Sequence, residues 1–323
     1  MNCLQQTVTD RWAIYNGDCV EVLKGLPDNS VHYSIFSPPF AALYVYSASA
    51  HDMGNSRDDN EFFRHFSFLV KELYRVIKPG RLLSFHSTLL CSSVYSHGYT
   101  GLRDFRGETV RAFTDGGWHM HSEVCIWKDP VCAMQRTKAK GLLYKELKKD
   151  SCSSRQGIPD YLTTMRKPGK NDEPVKKDDA MWPESKVARE GVNLWQNYAS
   201  PVWATLGEQM PDGFFGILGT QVSGDDTSTI NPTDTLQHRS AREHNDERHM
   251  CPLQLPVIDR AIRLWTNPGD VVLSPFAGIG SEGYVSLREG RKFVGAELKK
   301  SYYEQAVRNL TSASTLKQES LFT

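Results

Sequence analysis

Two short stretches carry residue types with evident chemical use. Ser37-Pro38-Pro39-Phe40 directly follows the apolar run VHYSIF. That run reads as a buried strand. Proline has no amide hydrogen and fixes φ, so two in a row end sheet pairing abruptly. A rigid turn satisfies that pattern. So does a rigid shelf that aims the Ser37 hydroxyl, a free carbonyl and the Phe40 ring at a ligand. Far along the chain, Gly278-Ile279-Gly280-Ser281-Glu282-Gly283 forms a G-x-G-x-x-G turn after the strand-like VVLSPF. Glu297 ends the next strand, nineteen residues past Gly278. Glycines let the backbone pass close to a ligand, and a carboxylate at that spacing can accept two hydrogen bonds from ribose hydroxyls. Strand, turn, helix, strand and acid in that order point to a nucleoside-bearing ligand, with tight packing as the bland alternative.

The elements that must hold these stretches alternate strand with helix. Asn16-Gly17-Asp18 precedes a short helical run, CVEVLKGL. Glu61 to Lys78 is expected to be an amphipathic helix, with Phe62, Phe66, Leu69, Leu73 and Ile77 on one stripe and Pro79-Gly80 as its stop. RLLSFH and EVCIWK read as strands. After Cys251 the same texture returns. Pro256 suits a first helical turn, Ile258, Ala261, Ile262 and Trp265 make an apolar face, and FVGAEL is a strand. A last helix carries Tyr303, Ala306, Val307 and Leu310, and the tail, 313–323, is expected to be disordered. This pattern predicts an α/β fold with a doubly wound, mostly parallel sheet. Residues 131–250 are polar and weakly periodic, too long for a loop. They are expected to form an inserted region, with 1–130 and 251–312 together making the α/β domain.

Composition narrows the classes. The 323 residues are 39% hydrophobic and 24% charged, as in globular proteins, and no apolar run approaches a membrane span. The N-terminal MNCLQQTVTDRW has no leader-like core. Seven cysteines without a C-x-x-C argue for a reducing, cytoplasmic setting and against a disulfide frame or a zinc site. His238, His244 and His249 lie among charged residues and read as a solvated or nucleic-acid-facing loop. Net charge is zero but segregated: Arg136 to Lys170 holds ten Lys/Arg against three acids, and Ser200 to Met250 eight acids against three arginines. Segregation of this kind fits a basic face and an ordinary solvated surface alike.

The ligand class follows from what the G-x-G-x-x-G turn lacks. A dinucleotide site needs a second βαβ half after the acid, yet only 26 residues follow Glu297. Pro275-Phe276 also crowds the entrance that a pyrophosphate would use. An adenosine with a short charged side chain fits better, which describes S-adenosylmethionine. With SPPF at 37–40 and SPFAGIG at 274–280, the chain resembles the permuted, beta-arrangement DNA amino-methyltransferases. ELYRVIKPGRLLSF and TNPGDVVLSPF are similar to family segments as well. The resemblance covers roughly residues 12–128 and 251–312. One departure is Ser274, where the family usually has Asp.

The resemblance implies a catalytic shelf of Ser37, Pro38, Pro39 and Phe40. It implies a cofactor site of Asp18, Ser274, Pro275, Phe276, Gly278, Gly280 and Glu297. At Asp18 a helix-capping role stays equally open. An exocyclic amine on a base is a poor nucleophile, because its lone pair is delocalised. If Ser37 Oγ and the Pro38 carbonyl accept its hydrogens, the nitrogen can pyramidalise and attack a sulfonium methyl. Phe40 can stack on a base flipped out of the duplex, and Tyr44 and Tyr46 either close over it or pack in the core. The family keeps its target recognition region where 131–250 falls. The basic stretch there, with Lys145, Lys148 and Lys149, is then a candidate DNA-binding surface. The implied partner is double-stranded DNA; a homodimer and a restriction endonuclease encoded elsewhere are left open, and neither a metal nor a membrane is expected. Ser at the first shelf position favours cytosine N4, with adenine N6 as the alternative. A cytosine-C5 enzyme would need a Pro-Cys nucleophile, and the chain has only Cys251-Pro252, in reverse. A NAD-type oxidoreductase, a non-catalytic DNA-binding protein, and enzymes acting on RNA or a protein amide are the competing readings.

Overall fold

The computed structural model describes residues 3–40, 52–128, 142, 144–176, 195, 197–203, 230, 234–236 and 253–319. Eleven strands are described: β1 Gln5–Val8, β2 Trp12–Asn16, β3 Val31–Phe36, β4 Ile77–Thr88, β5 Leu90–Ser92, β6 Gly101–Arg103, β7 His119–Ile126, β8 Asp160–Arg166, β9 Val202–Trp203, β10 Val271–Ser274 and β11 Lys292–Glu297. The helices are α1 Cys19–Lys24, α2 Asp59–Val76, α3 Val94–His97, α4 Phe105–Asp115, α5 Tyr144–Leu147, α6 Leu255–Trp265, α7 Ser281–Arg288 and α8 Lys300–Glu319. Nine strands form one sheet in the order β1-β2-β11-β10-β3-β4-β8-β7-β9, and β5 and β6 form a separate hairpin. From β2 to β4 every neighbouring pair is parallel. β8 runs antiparallel to both β4 and β7.

Helices cover both faces. On one face α1, α2 and α4 press Leu23, Phe62, Phe66, Leu73 and Phe113 against Phe36, Leu83 and Phe85 of the sheet. On the other, α6, α7 and α8 bury Ile258, Ile262, Val285, Tyr303 and Leu310 against Ile14, Ile35 and Val272. This is the doubly wound arrangement expected from the alternating pattern. Chain order fixes its switch point. The β3–α2–β4 crossover moves one way from the sheet centre and β10–α7–β11 moves the other. A crevice therefore opens between β3 and β10 at the carboxyl ends of the strands.

Three boundaries differ from expectation. Helix α2 begins at Asp59, capped by Asp58 Oδ1 accepting from Glu61 N at 2.8 Å, and stops at Val76. Pro79 disfavours helical geometry just before it, and Ile77 already pairs with Val31 in the sheet. Residues 131–250 are not wholly separate from the α/β domain. β8 lies between β4 and β7, with seven residues paired to each, and β9 extends the edge. Without β8 the flank of β4 would carry an unpaired ladder, and the core would lose the buried side chains of Leu162 and Met165 that β8 supplies. Nor is the tail disordered from residue 313. Helix α8 continues through Glu319, because Ala313 extends the buried stripe of Ala306 and Leu310 onto the sheet. Among the described residues no helix is long and apolar enough to cross a membrane.

Candidate active site

The two motifs emerge side by side. β3 and β10 are adjacent and parallel, with Tyr33 opposite Val272 and Ser34 opposite Leu273, and Ser34 Oγ donates to Leu273 O at 2.9 Å. The Ser37–Phe40 shelf leaves the end of β3, and the glycine turn leaves the end of β10. Phe36 and Phe276 pack together across the gap, ring centroids 5.9 Å apart. Neighbouring strands lie about 4.8 Å apart, so groups held by the two motifs are within reach of one another.

The glycine turn is built around Glu297. Its Oε2 accepts from Gly278 N and its Oε1 from Lys299 N, both at 2.8 Å. Each oxygen keeps a further lone pair, so ribose hydroxyls can still be accepted. Burial raises the Glu297 carboxyl strongly, the two amides pull it back, and Asp52 pushes it up again, leaving it at about 7. Glu282 is wholly buried in the first turn of α7; burial, with the Glu297 charge adding to it, lifts it to about 8. Gly278 has φ of +52°, and a Cβ there would point into open space, which is the room a ligand needs. Gly280 has φ of +86° and lies close against Ala306 of α8. Both conformations favour glycine.

Asn16, opposite Glu297 in the sheet, donates from Nδ2 to the carbonyls of Glu297 and Leu298 at 2.9 Å. Its Oδ1 is buried without a hydrogen-bond partner among the described residues, and so is Oγ of Ser274. Buried polar atoms of this kind ordinarily find a partner. Two of them at the carboxyl ends of β2 and β10, beside Glu297 and the open face of Gly278, fit a polar nucleoside ligand. Asp18 stands at the same sheet edge and caps α1, its Oδ1 accepting from Glu21 N at 3.0 Å. The capping alternative is thus realised there. Pro275 is buried and Phe276 half-buried against Phe36.

The shelf is tied to residues that the motif reading did not identify. Ser37 Oγ lies 3.0 Å from Nδ1 of His86, near the end of β4. His86 Nε2 lies 2.9 Å from Asp160 Oδ2 at the start of β8, a close contact without straight hydrogen-bond geometry. Lys128 Nζ also contacts Asp160 Oδ2. Burial by itself would raise Asp160, but His86 and Lys128 outweigh it and hold the carboxyl at about 2. The Phe40 ring rests against His86 at 5.7 Å and Phe105 at 5.8 Å. Pro38 is buried, and Ser37, Pro39 and Phe40 are half-buried. A polar residue ending the apolar run RLLSFH, and an acid heading the β-branched run DYLTTMR, were the available signals for His86 and Asp160.

The remaining expected positions stand apart from this crevice. Lys145, Lys148 and Lys149 are exposed on and just after α5, with Lys148 Nζ 5.1 Å from the Tyr144 ring centroid. Tyr44, Tyr46, the histidines at 238, 244 and 249, and Cys251-Pro252 lie outside the described residues. One group, His32, Glu173 and Asp270, has potential ligand atoms within 4.8 Å of one another. His32 Nδ1 already accepts from Val271 N, Lys78 pairs with Glu173, and Arg81 with Asp270. This cluster pins the amino ends of β3, β4 and β10 together and is already charge-balanced.

Comparison with known proteins agrees with the geometry. The DNA methylase family matches residues 31–308. The Type II methyltransferase M.BglII of Bacillus subtilis is 23% identical over 92% of this chain and 68% of its own length. M.BamHI of Bacillus amyloliquefaciens is 27% identical over 90% of this chain but only 55% of its own, so the chain spans about half of that relative. The DNA adenine methyltransferase YhdJ of Escherichia coli is 41% identical over a shorter segment, 24% of this chain and 26% of its own. Among solved structures, TTHA0409 of Thermus thermophilus, complexed with S-adenosyl-L-methionine, superposes with a TM-score of 0.60 at 19% identity, covering 94% of this chain and 96% of its own. The PvuII DNA methyltransferase (cytosine-N4-specific) gives 0.57 at 16% identity, covering 97% and 95%. At such identities these structures speak for the fold.

Proposed function

The chain belongs to the DNA methylase family, and we propose that it transfers a methyl group from S-adenosylmethionine to an exocyclic amino group of a base in DNA. The observation that carries this reading is the adjacency of shelf and glycine turn on parallel neighbours β3 and β10 at the switch point. An NAD-type oxidoreductase is set aside by the family match and leaves the shelf without a role.

Glu297, Asn16, Ser274 and the open backbone at Gly278 would hold the cofactor, with Asp18 and Phe276 at its margins. Bound there, S-adenosylmethionine supplies an electrophilic sulfonium methyl. The chain's own work is then positioning. Ser37 Oγ and the Pro38 carbonyl accept the two N–H hydrogens of the amine and turn its lone pair out of conjugation. Phe40, braced by His86 and Phe105, offers a ring face to a base that has left its stack. Fixed dipoles and orientation of this type account for rate enhancements without a covalent intermediate.

Cytosine N4 is the proposed acceptor. Ser37 at the first shelf position supports it. Adenine N6 is the second reading, supported by the segment shared with an adenine methyltransferase. Double-stranded DNA is the proposed partner, bound partly by Lys145, Lys148 and Lys149, with a separately encoded restriction endonuclease as its counterpart. The test is incorporation of label from methyl-tritiated S-adenosylmethionine into duplex DNA, RNA and protein offered separately. Label confined to DNA is expected; label in RNA or protein alone would overturn the proposal.

A further inference from the structure

Ser37 donates one feature that its role as an acceptor does not require: its hydroxyl sits 3.0 Å from a histidine nitrogen. The other ring nitrogen faces a carboxylate at 2.9 Å. Asp160 and His86 are both nearly inaccessible, 3% and 8% exposed. A neutral imidazole has one N–H, and it settles on the nitrogen that faces the anion. With the hydrogen on Nε2, Nδ1 is bare and Ser37 donates its O–H to Nδ1. Both lone pairs of Ser37 Oγ are then turned outward from His86, toward the crevice beyond the shelf. The register makes this arrangement rigid. Thr88 pairs with Asp160 and His86 with Leu162 in the β4–β8 ladder, while Ser37 leaves β3, the other neighbour of β4.

We propose that His86 is a positioning and proton-accepting residue for the methyl transfer, acting through Ser37 and held in its tautomer by Asp160. The inference rests on the amino-methyltransferase reading above. An amine that has gained a methyl group carries one proton too many. That N–H bond breaks as the proton passes to Ser37 Oγ. The Ser37 O–H bond breaks in the same motion, and its proton forms a new N–H bond at His86 Nδ1. Ser37 ends neutral, the base ends neutral, and the positive charge rests on an imidazolium facing the Asp160 carboxylate. Solvent takes the proton once the product leaves. The groups around His86 suit this. Asp160 of β8 and Lys128 after β7 form the charged contact, and the Phe40 ring covers the imidazole. The Arg106–Glu123 pair lies further along the sheet, where Glu123 is bonded to Thr163. Lys128 shares Asp160 and keeps it ionised, so Asp160 is not the terminal proton acceptor. A histidine merely buried against an acid would need no serine on its other nitrogen.

Two measurements decide it. Nitrogen-15 NMR of the imidazole in the full-length protein, assigned by His86→Asn, should show a neutral ring protonated at Nε2, and Asp160→Asn should weaken that preference. A ring protonated at Nδ1 overturns the inference whatever the activity. The second is single-turnover methyl transfer as a function of pH. His86→Asn keeps an oxygen near Nδ1 that can accept from Ser37, but it cannot take up a proton. It should lower the rate constant about a hundredfold, as removal of a general base commonly does. It should also change the dependence of that rate constant on pH, while cofactor affinity stays within twofold. A His86→Asn protein with the parental rate and pH profile would sink the proton-accepting role while leaving DNA methylation by the parental protein intact. Failure of the parental protein to methylate DNA would instead strike the underlying reading.

Discussion

Gly278 N donates to Glu297 Oε2 at 2.8 Å, so the residue that opens the glycine turn and the acid that ends the next strand are one unit. The acid thus shapes the turn proposed to hold the cofactor. Glu297→Ala should weaken S-adenosylmethionine binding by more than one lost contact would. Charge-assisted hydrogen bonds contribute roughly 1.5–3 kcal/mol each, and the tie to Gly278 is lost with them. Calorimetry on the folded variant is expected to show at least a tenfold loss; unchanged affinity would remove Glu297 from the site.

Cofactor binding should depend on pH with a defined sign. Burial first, moderated by the amides of Lys299 and Gly278, raises Glu297 to about 7, and Glu282 nearby stands at about 8. Both folded values lie above the ordinary carboxylate range, so the free protein holds protons there that the unfolded chain has released. The stability this contributes is present at low pH and is lost as pH rises through the folded values. A ligand whose hydroxyls donate to Glu297 prefers the ionised form. Affinity should tighten from pH 6 to pH 8, with proton release on binding, and Glu297→Gln should flatten the trend. The two acids influence one another, so the transition belongs to the pair. Calorimetry in two buffers of different ionisation enthalpy reads the proton count, and proton uptake would contradict the assignment.

Ser37→Ala should separate chemistry from cofactor binding. In the proposed site the lost oxygen would face the base, so methyl transfer should fall about a hundredfold, as for loss of a preorganised hydrogen-bonding group. Cofactor affinity should stay within twofold. A variant that turns over at the parental rate would remove Ser37 from the shelf's function.

Much of this was legible in local sequence. VHYSIF before two prolines, the stripe Phe62-Phe66-Leu69-Leu73, and strand–glycine turn–helix–strand–acid each need only a short window. The site's other half needed distant pairing. His86 closes a strand whose pattern looks wholly structural, and Asp160 lies in a stretch that polarity and weak periodicity marked as an insertion. What joins them is the antiparallel ladder of β4 with β8, and register between distant segments leaves no trace in either one. Similarly, Arg81 and Asp270 are paired and buried, 189 residues apart. Ala313 misled in the opposite direction, because one small residue was too faint a sign that α8 continues.

Charge reversal at Lys145, Lys148 and Lys149 tests the proposed DNA surface. Lys145 is 68% exposed in its side chain, and α5 holds it without a buried partner. Each lost phosphate contact should lessen the slope of log affinity against log salt by about 0.9. Binding of duplex DNA measured from low to moderate salt would read this. Identical slopes for variant and parent would make the stretch an ordinary solvated face.

Methyl transfer to an exocyclic amine of a DNA base leaves a product that can be read directly. The direct measurement is mass spectrometry of nucleosides from duplex DNA treated with the purified protein and deuteromethyl-labelled S-adenosylmethionine. N4-methyldeoxycytidine bearing the label is the expected product. Labelled N6-methyldeoxyadenosine alone would replace the proposed base and keep the shelf mechanism. A label found only on C5 of cytosine, or no labelled nucleoside from a protein that binds both DNA and cofactor, would contradict the account.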